Sequence, residues 1–189
     1  MKVCILSGSA RKDNNTLRVA KALSNLVEES TIIDFQAYDL PNFNQQNIQP
    51  GSESPFQKRL IEAIDSAQLL LVLTPEYNWF PTAEIINTIH QLAVKDYIHI
   101  FDNTVIATVG VSAGRGGRMP AVQLTTVFNK IIGFFGLKSI VSSGVFEVQE
   151  VTKCMDEEGN LLDNTAFNKG ILNFVDYSSK VAQRWHINE

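Results

Sequence analysis

Cysteine and histidine are scarce: two cysteines and three histidines stand in 189 residues. Neither cysteine has a CxxC partner, and His90, His99 and His186 show no metal-ligand spacing with them or with one another. A disulfide framework and a zinc site are both excluded on that count. Cys4, inside the first apolar run, reads as a small buried residue, and Cys154, in a charged stretch, as a free thiol. An excess of positive charge is also missing. The net charge of −4 gives no reason to expect nucleic acid or an anionic membrane. No apolar run reaches membrane-spanning length, and the N-terminal run is too short for a signal-peptide core. Cytoplasmic residence is the resulting expectation, and without a secretion signal the Asn14-Asn15-Thr16 match to a glycosylation acceptor means nothing. GxGxxG is absent after the first run and GxxxxGK[ST] is absent altogether, which disfavours a dinucleotide Rossmann site and a P-loop. A Cys-x5-Arg phosphatase loop ending at Arg11 would need cysteine where Ile5 stands.

What is present is a core-sized supply of apolar residues, 44% of the chain, enough for a single α/β domain over residues 1–189. Uninterrupted apolar runs at Val3–Leu6, Leu69–Leu73, Val105–Val111 and Ile140–Val145, with a shorter one at Thr31–Phe35, predict strands buried on both faces. Amphipathic patterns between them predict helices over about Thr16–Glu29, Pro55–Ala67, Ala83–Val94, Gly117–Phe135 and Thr165–Trp185. Ser54 followed by Pro55 is a strong helix start. Strands and helices in alternation imply a doubly wound parallel sheet. Two long irregular segments, Asp39–Glu53 and Phe146–Asn164, exceed ordinary connections and are expected to shape a ligand site or a subunit contact.

In such a sheet, ligands bind beyond the carboxyl ends of the strands, and three of those ends are unusual. After the first strand comes Gly8-Ser9-Ala10-Arg11-Lys12-Asp13-Asn14-Asn15-Thr16. This loop of small polar residues carries one arginine and runs into a helix N-terminus, which suits an anion. After the third strand, Thr74-Pro75-Glu76-Tyr77-Asn78-Trp79-Phe80-Pro81 places three aromatics beside two prolines, a stiff wall for a flat ligand. After the fourth strand, Ser112-Ala113-Gly114-Arg115-Gly116-Gly117-Arg118 removes side chains where backbone N–H groups must come close to something. Each loop alone is commonplace. Together they suit a planar heterocycle joined to a phosphate, and flavin mononucleotide (FMN) fits that description.

These loops resemble those of the NADPH-dependent FMN reductase family, the flavodoxin-like group that includes quinone, chromate and azo-dye reductases. Gly8–Thr16 is similar to its Gly-Ser-x-Arg phosphate loop, Pro75-Glu76-Tyr77-Asn78 to its Pro-Glu-Tyr-Asn signature, and Ser112–Gly117 with Gln123-Leu124 to its third loop and the helix after it. Tyr38-Asp39-Leu40-Pro41 is similar to the segment after its second strand. The resemblance implies a flavodoxin-like three-layer sandwich with a five-stranded parallel sheet in the order 2-1-3-4-5 and helices on both faces. It implies FMN as cofactor, NADPH or NADH as electron donor and a quinone-like or flavin acceptor, with the ring carrying the chemistry and no catalytic side chain. Ser9, Arg11, Asn15 and Thr16 would hold the phosphate. Pro75, Glu76, Tyr77 and Asn78 would line the ring chiefly through backbone, and Ser112, Gly114, Arg115, Gly116 and Gly117 would approach its pyrimidine end. Arg115 and Arg118 are also candidates for a nicotinamide cofactor's phosphates, or are solvated charges. An electron carrier of the flavodoxin kind, or a flavin-binding regulator without turnover, are the alternatives. The helix before Gly136 is apolar nearly all round, at Val122, Val127, Phe128, Ile131, Ile132, Phe134 and Phe135, and wants a second partner surface; with the resemblance, a homodimer or homotetramer is expected. The chain departs from the family pattern at Trp79 and Phe80, where small residues are usual, and at Ile86, where lysine precedes asparagine.

Overall fold

The computed structural model describes residues 1–187. Its strands are β1 (Val3–Ser7), β2 (Ser30–Asp34), β3 (Leu69–Pro75), β4 (Val105–Val111), β5 (Ile140–Val141) and β6 (Phe146–Val148). Its helices are α1 (Asn15–Ser24), α2 (Pro55–Asp65), α3 (Ala83–Leu92), α4 (Arg118–Phe135) and α5 (Thr165–Trp185). All strand pairs are parallel, in the order β2-β1-β3-β4-β5, with β6 also on β4. The expected order is therefore observed, but the fifth position is held by two short strands instead of one. Ser142, Ser143, Gly144 and Val145 intervene where β4 supplies only Ala107 and Thr108. The surplus cannot pair and bulges out. Gly144 sits against the Tyr177 ring, where a side chain would collide, and the Tyr177 hydroxyl meets Ser143 Oγ at 2.7 Å.

Alternation along the strands splits the core in two. Cys4 and Leu6 of β1 and Leu70 and Val72 of β3 pack under α2, α3 and α4, with Leu60, Ile64, Ile85, Leu92, Leu124 and Phe128. Val3, Ile5, Leu69, Leu71 and Leu73 pack on the other face under α1 and α5, with Val19, Leu23, Ile171 and Phe174. This is why the strands read as unbroken apolar runs: both faces are covered. Each fully buried Leu or Ile adds roughly 1.5–3 kcal/mol, so the sheet centre is the rigid platform from which the loops project.

Helix ends follow their caps. Ser54 and Gln57 form a reciprocal capping box at the start of α2, with Pro55 in the first turn. Asn14 caps α1, its side chain accepting from Leu17 N at 2.8 Å. α1 ends at Ser24, five residues before the expected Glu29, because the chain turns to enter β2. Both cysteines are free and buried. Burial pushes the Cys4 thiol up to about 12 and raises Cys154 as well, which leaves both in the unreactive thiol form. No helix among the described residues is long and apolar enough to cross a membrane, and none of their His, Cys, Asp and Glu side chains group into a metal site.

The two long segments are tied down. Asp39–Glu53 is pinned to α3: Gln91 Nε2 donates to the carbonyls of Pro41 and Gln46, and Gln91 Oε1 accepts from Ile48 N. Asn87 donates to the Pro41 carbonyl and the Tyr38 hydroxyl and accepts from Phe43 N. Phe146–Asn164 backs the loop after β4, where Glu150 N donates to the Gly114 carbonyl and Ser112 N to Val148.

Candidate functional site

The loops after β1, β3 and β4 meet at the carboxyl edge of the sheet. A cavity of about 260 Å³ opens there, lined by Ser9, Arg11, Asn15, Thr16, Pro75, Glu76 and Tyr77 among the predicted residues. Lys12, Asp13, Asn14, Val111 and Ala113 complete its wall. Asn78, Ser112, Gly114, Arg115, Gly116 and Gly117 lie outside this lining.

The first loop is shaped before any ligand arrives. Gly8 N donates to the Leu73 carbonyl at 2.9 Å, and Gly8 is pressed so closely on Ile85 and that carbonyl that a side chain would not fit. The Thr82 hydroxyl, which caps α3, donates to the Gly8 carbonyl at 2.7 Å. Asn14 Nδ2 reaches back to the carbonyls of Arg11 at 2.7 Å and Ser9 at 3.3 Å. Asn14 and Thr82 are thus the bracing residues that the sequence reading left out. Their signal was present: each is a good N-cap residue directly before an apolar helical pattern.

Inside this frame the polar groups are unsatisfied. Thr16 is 1% exposed and its Oγ1 has no hydrogen-bond partner. A buried lone hydroxyl costs about 1–3 kcal/mol. Asn15 and Thr16 occupy the first turn of α1, where backbone N–H groups have no acceptor within the helix. Ser9, also 1% exposed, has only a long 3.5 Å contact from Oγ to the Tyr77 hydroxyl. Arg11 is exposed and lies over the Tyr77 ring, 5.9 Å from its centroid, and forms no salt bridge among the described residues. A buried hydroxyl, helix-end amides and an unpaired guanidinium converge on one small space. That donor set, with no carboxylate oxygen bonded into it, suits a phosphate.

The second loop is a tight hairpin. Tyr77 and Phe80 exchange backbone hydrogen bonds at 3.1 and 3.2 Å across Asn78 and Trp79. Both central residues are left-handed, with φ of 51° and 67°, a turn that favours Asn and Gly. Trp79 is strained there, and its ring is 67% exposed beside an equally open Phe80. The third loop is packed backbone on backbone: a side chain at Gly110 of β4 would run into the Gly117 carbonyl. Two of its amides are already engaged, Gly114 N with Ser112 Oγ at 3.2 Å and Gly117 N with the Glu76 carboxylate. The available donors on this loop are accordingly fewer than its glycine content suggests. Arg118 lies 3.8 Å from Glu147.

The NADPH-dependent FMN reductase family model matches residues 1–147. The chain belongs to this family. An NADPH azoreductase of Bacillus sp. (strain OY1-2) is 26% identical over 123 residues, 65% of this chain and 65% of that protein; the match spans just under two thirds of that relative's length. Among solved structures, FerB, a flavoenzyme NAD(P)H:(acceptor) oxidoreductase from Paracoccus denitrificans, has a TM-score of 0.72 at 21% identity, covering 95% of this chain and 97% of that one. A flavodoxin from the domain Archaea has a TM-score of 0.50 at 10% identity, covering 96% and 99%. These likenesses show a flavodoxin-like fold in this FMN reductase family member.

Proposed function

We propose that the protein is an FMN-dependent NAD(P)H reductase that delivers two electrons to a quinone-like or flavin acceptor. The observation that carries this reading is the unpartnered Thr16 hydroxyl, buried at the start of α1 beside the unpaired Arg11. Ser9, Arg11, Asn15 and Thr16 would hold the phosphate of FMN. Pro75, Glu76, Tyr77 and Asn78 would form the wall beside the ring, and Ser112, Gly114, Arg115, Gly116 and Gly117 would lie toward its pyrimidine end. When bound, FMN supplies the redox chemistry: NAD(P)H is oxidised to NAD(P)⁺ by loss of a hydride, and the acceptor gains two electrons with one proton from that hydride and one from solvent.

The chain's own work is binding and orientation. Its braced first loop offers preformed donors, so little conformational freedom is lost on binding. The left-handed turn at Asn78 and Trp79 stiffens the second wall. Arg115 is exposed on the third loop, where its positive charge favours electron-rich ligands and developing negative charge. Both cysteines are buried thiols without a bridge, in keeping with a cytoplasmic enzyme. On α4, Met119, Val122, Phe134 and Phe135 are exposed while Leu124 and Phe128 are buried. Exposed apolar side chains at both ends of a helix already packed by its other face favour a homodimer or homotetramer.

Purified protein supplied with FMN, NADPH and a benzoquinone is expected to oxidise NADPH with FMN-dependent saturation. No oxidation above the rate with free FMN alone would overturn the reading. Thr16→Val tests the deciding residue. It removes a hydroxyl that bonds to nothing, so the cofactor-free protein is expected to be as stable as wild type or slightly more so. FMN affinity should fall by about 1.5 kcal/mol or more, the scale of a hydrogen bond to a charged group; thermal melts and FMN titration read the two effects. Trp79→Gly relieves a left-handed tryptophan, worth roughly 1–2 kcal/mol, against the entropy a glycine adds to the unfolded chain. Stability should change little while kcat/KM rises for bulky quinones relative to small ones. An unchanged size preference would show that the indole does not limit access.

A further inference from the structure

We propose that Glu76 is a positioning residue whose carboxylate latches the third loop to the second and so fixes the width of the slot beside the phosphate cavity. The inference rests on the FMN reading given above and adds a role that the sequence does not suggest, since Glu76 was expected to act through backbone. Its backbone is in fact already used: Glu76 N donates to the Val111 carbonyl at 2.9 Å, extending the β3–β4 ladder by one rung. The side chain then crosses to the neighbouring loop, where Glu76 Oε2 accepts from Gly117 N. Gly116 is shaped for this crossing. A Cβ there would stand 2.7 Å from Glu76 Oε1 and 3.1 Å from Oε2. On the far side, Gly117 is packed on Gly110 of β4, with 2.9 Å from its own would-be Cβ to the Gly110 carbonyl. The Gly116-Gly117 pair is therefore held between a carboxylate and a strand, and the absence of side chains serves this contact as well as any ligand.

The latch explains a division of labour within the loop. Gly117 N is withdrawn from ligand binding, and Gly114 N is turned inward to Ser112 Oγ. The loop's far flank is fixed separately by Glu150 N on the Gly114 carbonyl and Ser112 N on Val148. With both flanks tied, the slot between Tyr77 and the third loop has a set width, and loss of the carboxylate frees only the Gly116–Gly117 side. A carboxylate is a strong acceptor for a backbone amide, and glutamine has the reach and the oxygen to replace it.

The test is flavin binding to wild type, Glu76→Ala and Glu76→Gln, each titrated with FMN and with riboflavin. Glu76→Ala is expected to weaken both ligands alike by about tenfold or more, because the ring end is loosened and the phosphate end is not. Glu76→Gln should bind both close to wild type. Wild-type binding by Glu76→Ala, or a Glu76→Gln as impaired as the alanine variant, would overturn the latch. A second measurement needs no variant and no cofactor. In wild-type protein, the Gly117 amide proton shift should titrate together with the Glu76 side-chain carboxyl carbon, whereas independent titrations would overturn the proposal. If wild-type protein binds no flavin, the functional reading fails, and the Gly117 titration still decides whether the latch exists.

Discussion

Gly110→Ala is expected to disrupt the third loop and abolish flavin binding, since its Cβ would meet the tightest collision of any glycine in the chain. Gly110 lies inside β4, paired with Thr74 on one side and Glu147 on the other. Its missing side chain is the space in which the Gly117 carbonyl sits. Both partners are backbone, so no rotamer change can relieve the collision. Either the strand or the loop must move. Overpacking a core usually costs about 1–3 kcal/mol and occasionally more, and a collision between two backbones in a central strand belongs at or above the upper end. Urea denaturation should show the loss of stability, and FMN titration should show no saturable binding. A variant as stable as wild type with normal FMN affinity would mean that the third loop has another available path. Gly114→Ala is the control: nothing lies near its would-be Cβ, and its stability is expected to match wild type.

The second large effect is at the phosphate end. Arg11→Ala is expected to weaken FMN binding by about 1.5–3 kcal/mol, the scale of a hydrogen bond to a charged group. The fold should not respond, because the Arg11 side chain is exposed, lies loosely over the Tyr77 ring at 5.9 Å and forms no salt bridge among the described residues. The loss should shrink as salt is raised, since an exposed cation acts through a screened field. Riboflavin, which has no phosphate, should bind both proteins equally. An unchanged FMN affinity, or an equal loss for riboflavin, would move Arg11 off the phosphate. This FMN-selective loss differs from the equal loss of both ligands expected for Glu76→Ala, and the two variants together separate the ends of the site.

The fold was largely legible because its strands are buried on both faces. Leu69–Leu73 and Val105–Val111 read as unbroken apolar runs for that reason, and α5 was legible to its ends from its amphipathic spacing up to Trp185. The edge was not. Ser142–Val145 reads as strand on composition, yet it carries two residues more than β4 can pair, and register is invisible in one strand taken alone. At the site, the position of the first loop was legible because a small polar stretch separates the apolar run of β1 from the amphipathic pattern of α1. The bracing of that loop by Thr82 was not, because it depends on α3 packing against Gly8 across 74 residues of sequence; Asn14 braces it from within, through the Arg11 and Ser9 carbonyls. The third loop misled in a specific way. Its glycines suggested free amide donors, whereas the fold uses Gly116 and Gly117 for close approach to Glu76 and Gly110. Sequence reveals that side chains are absent but not which neighbour fills the space. Asn87 shows the same limit: nothing in its sequence position tells that its side chain ties Pro41, Tyr38 and Phe43 to α3.

The central claim is that a phosphate sits in the Ser9–Thr16 loop with a flat ring between Tyr77 and the third loop. A crystal structure of the protein soaked with FMN tests it most directly. The account predicts a phosphate oxygen within hydrogen-bonding distance of Thr16 Oγ1, with Arg11 turned onto the phosphate. Flavin bound elsewhere, or a phosphate that leaves the Thr16 hydroxyl without a partner, would contradict it.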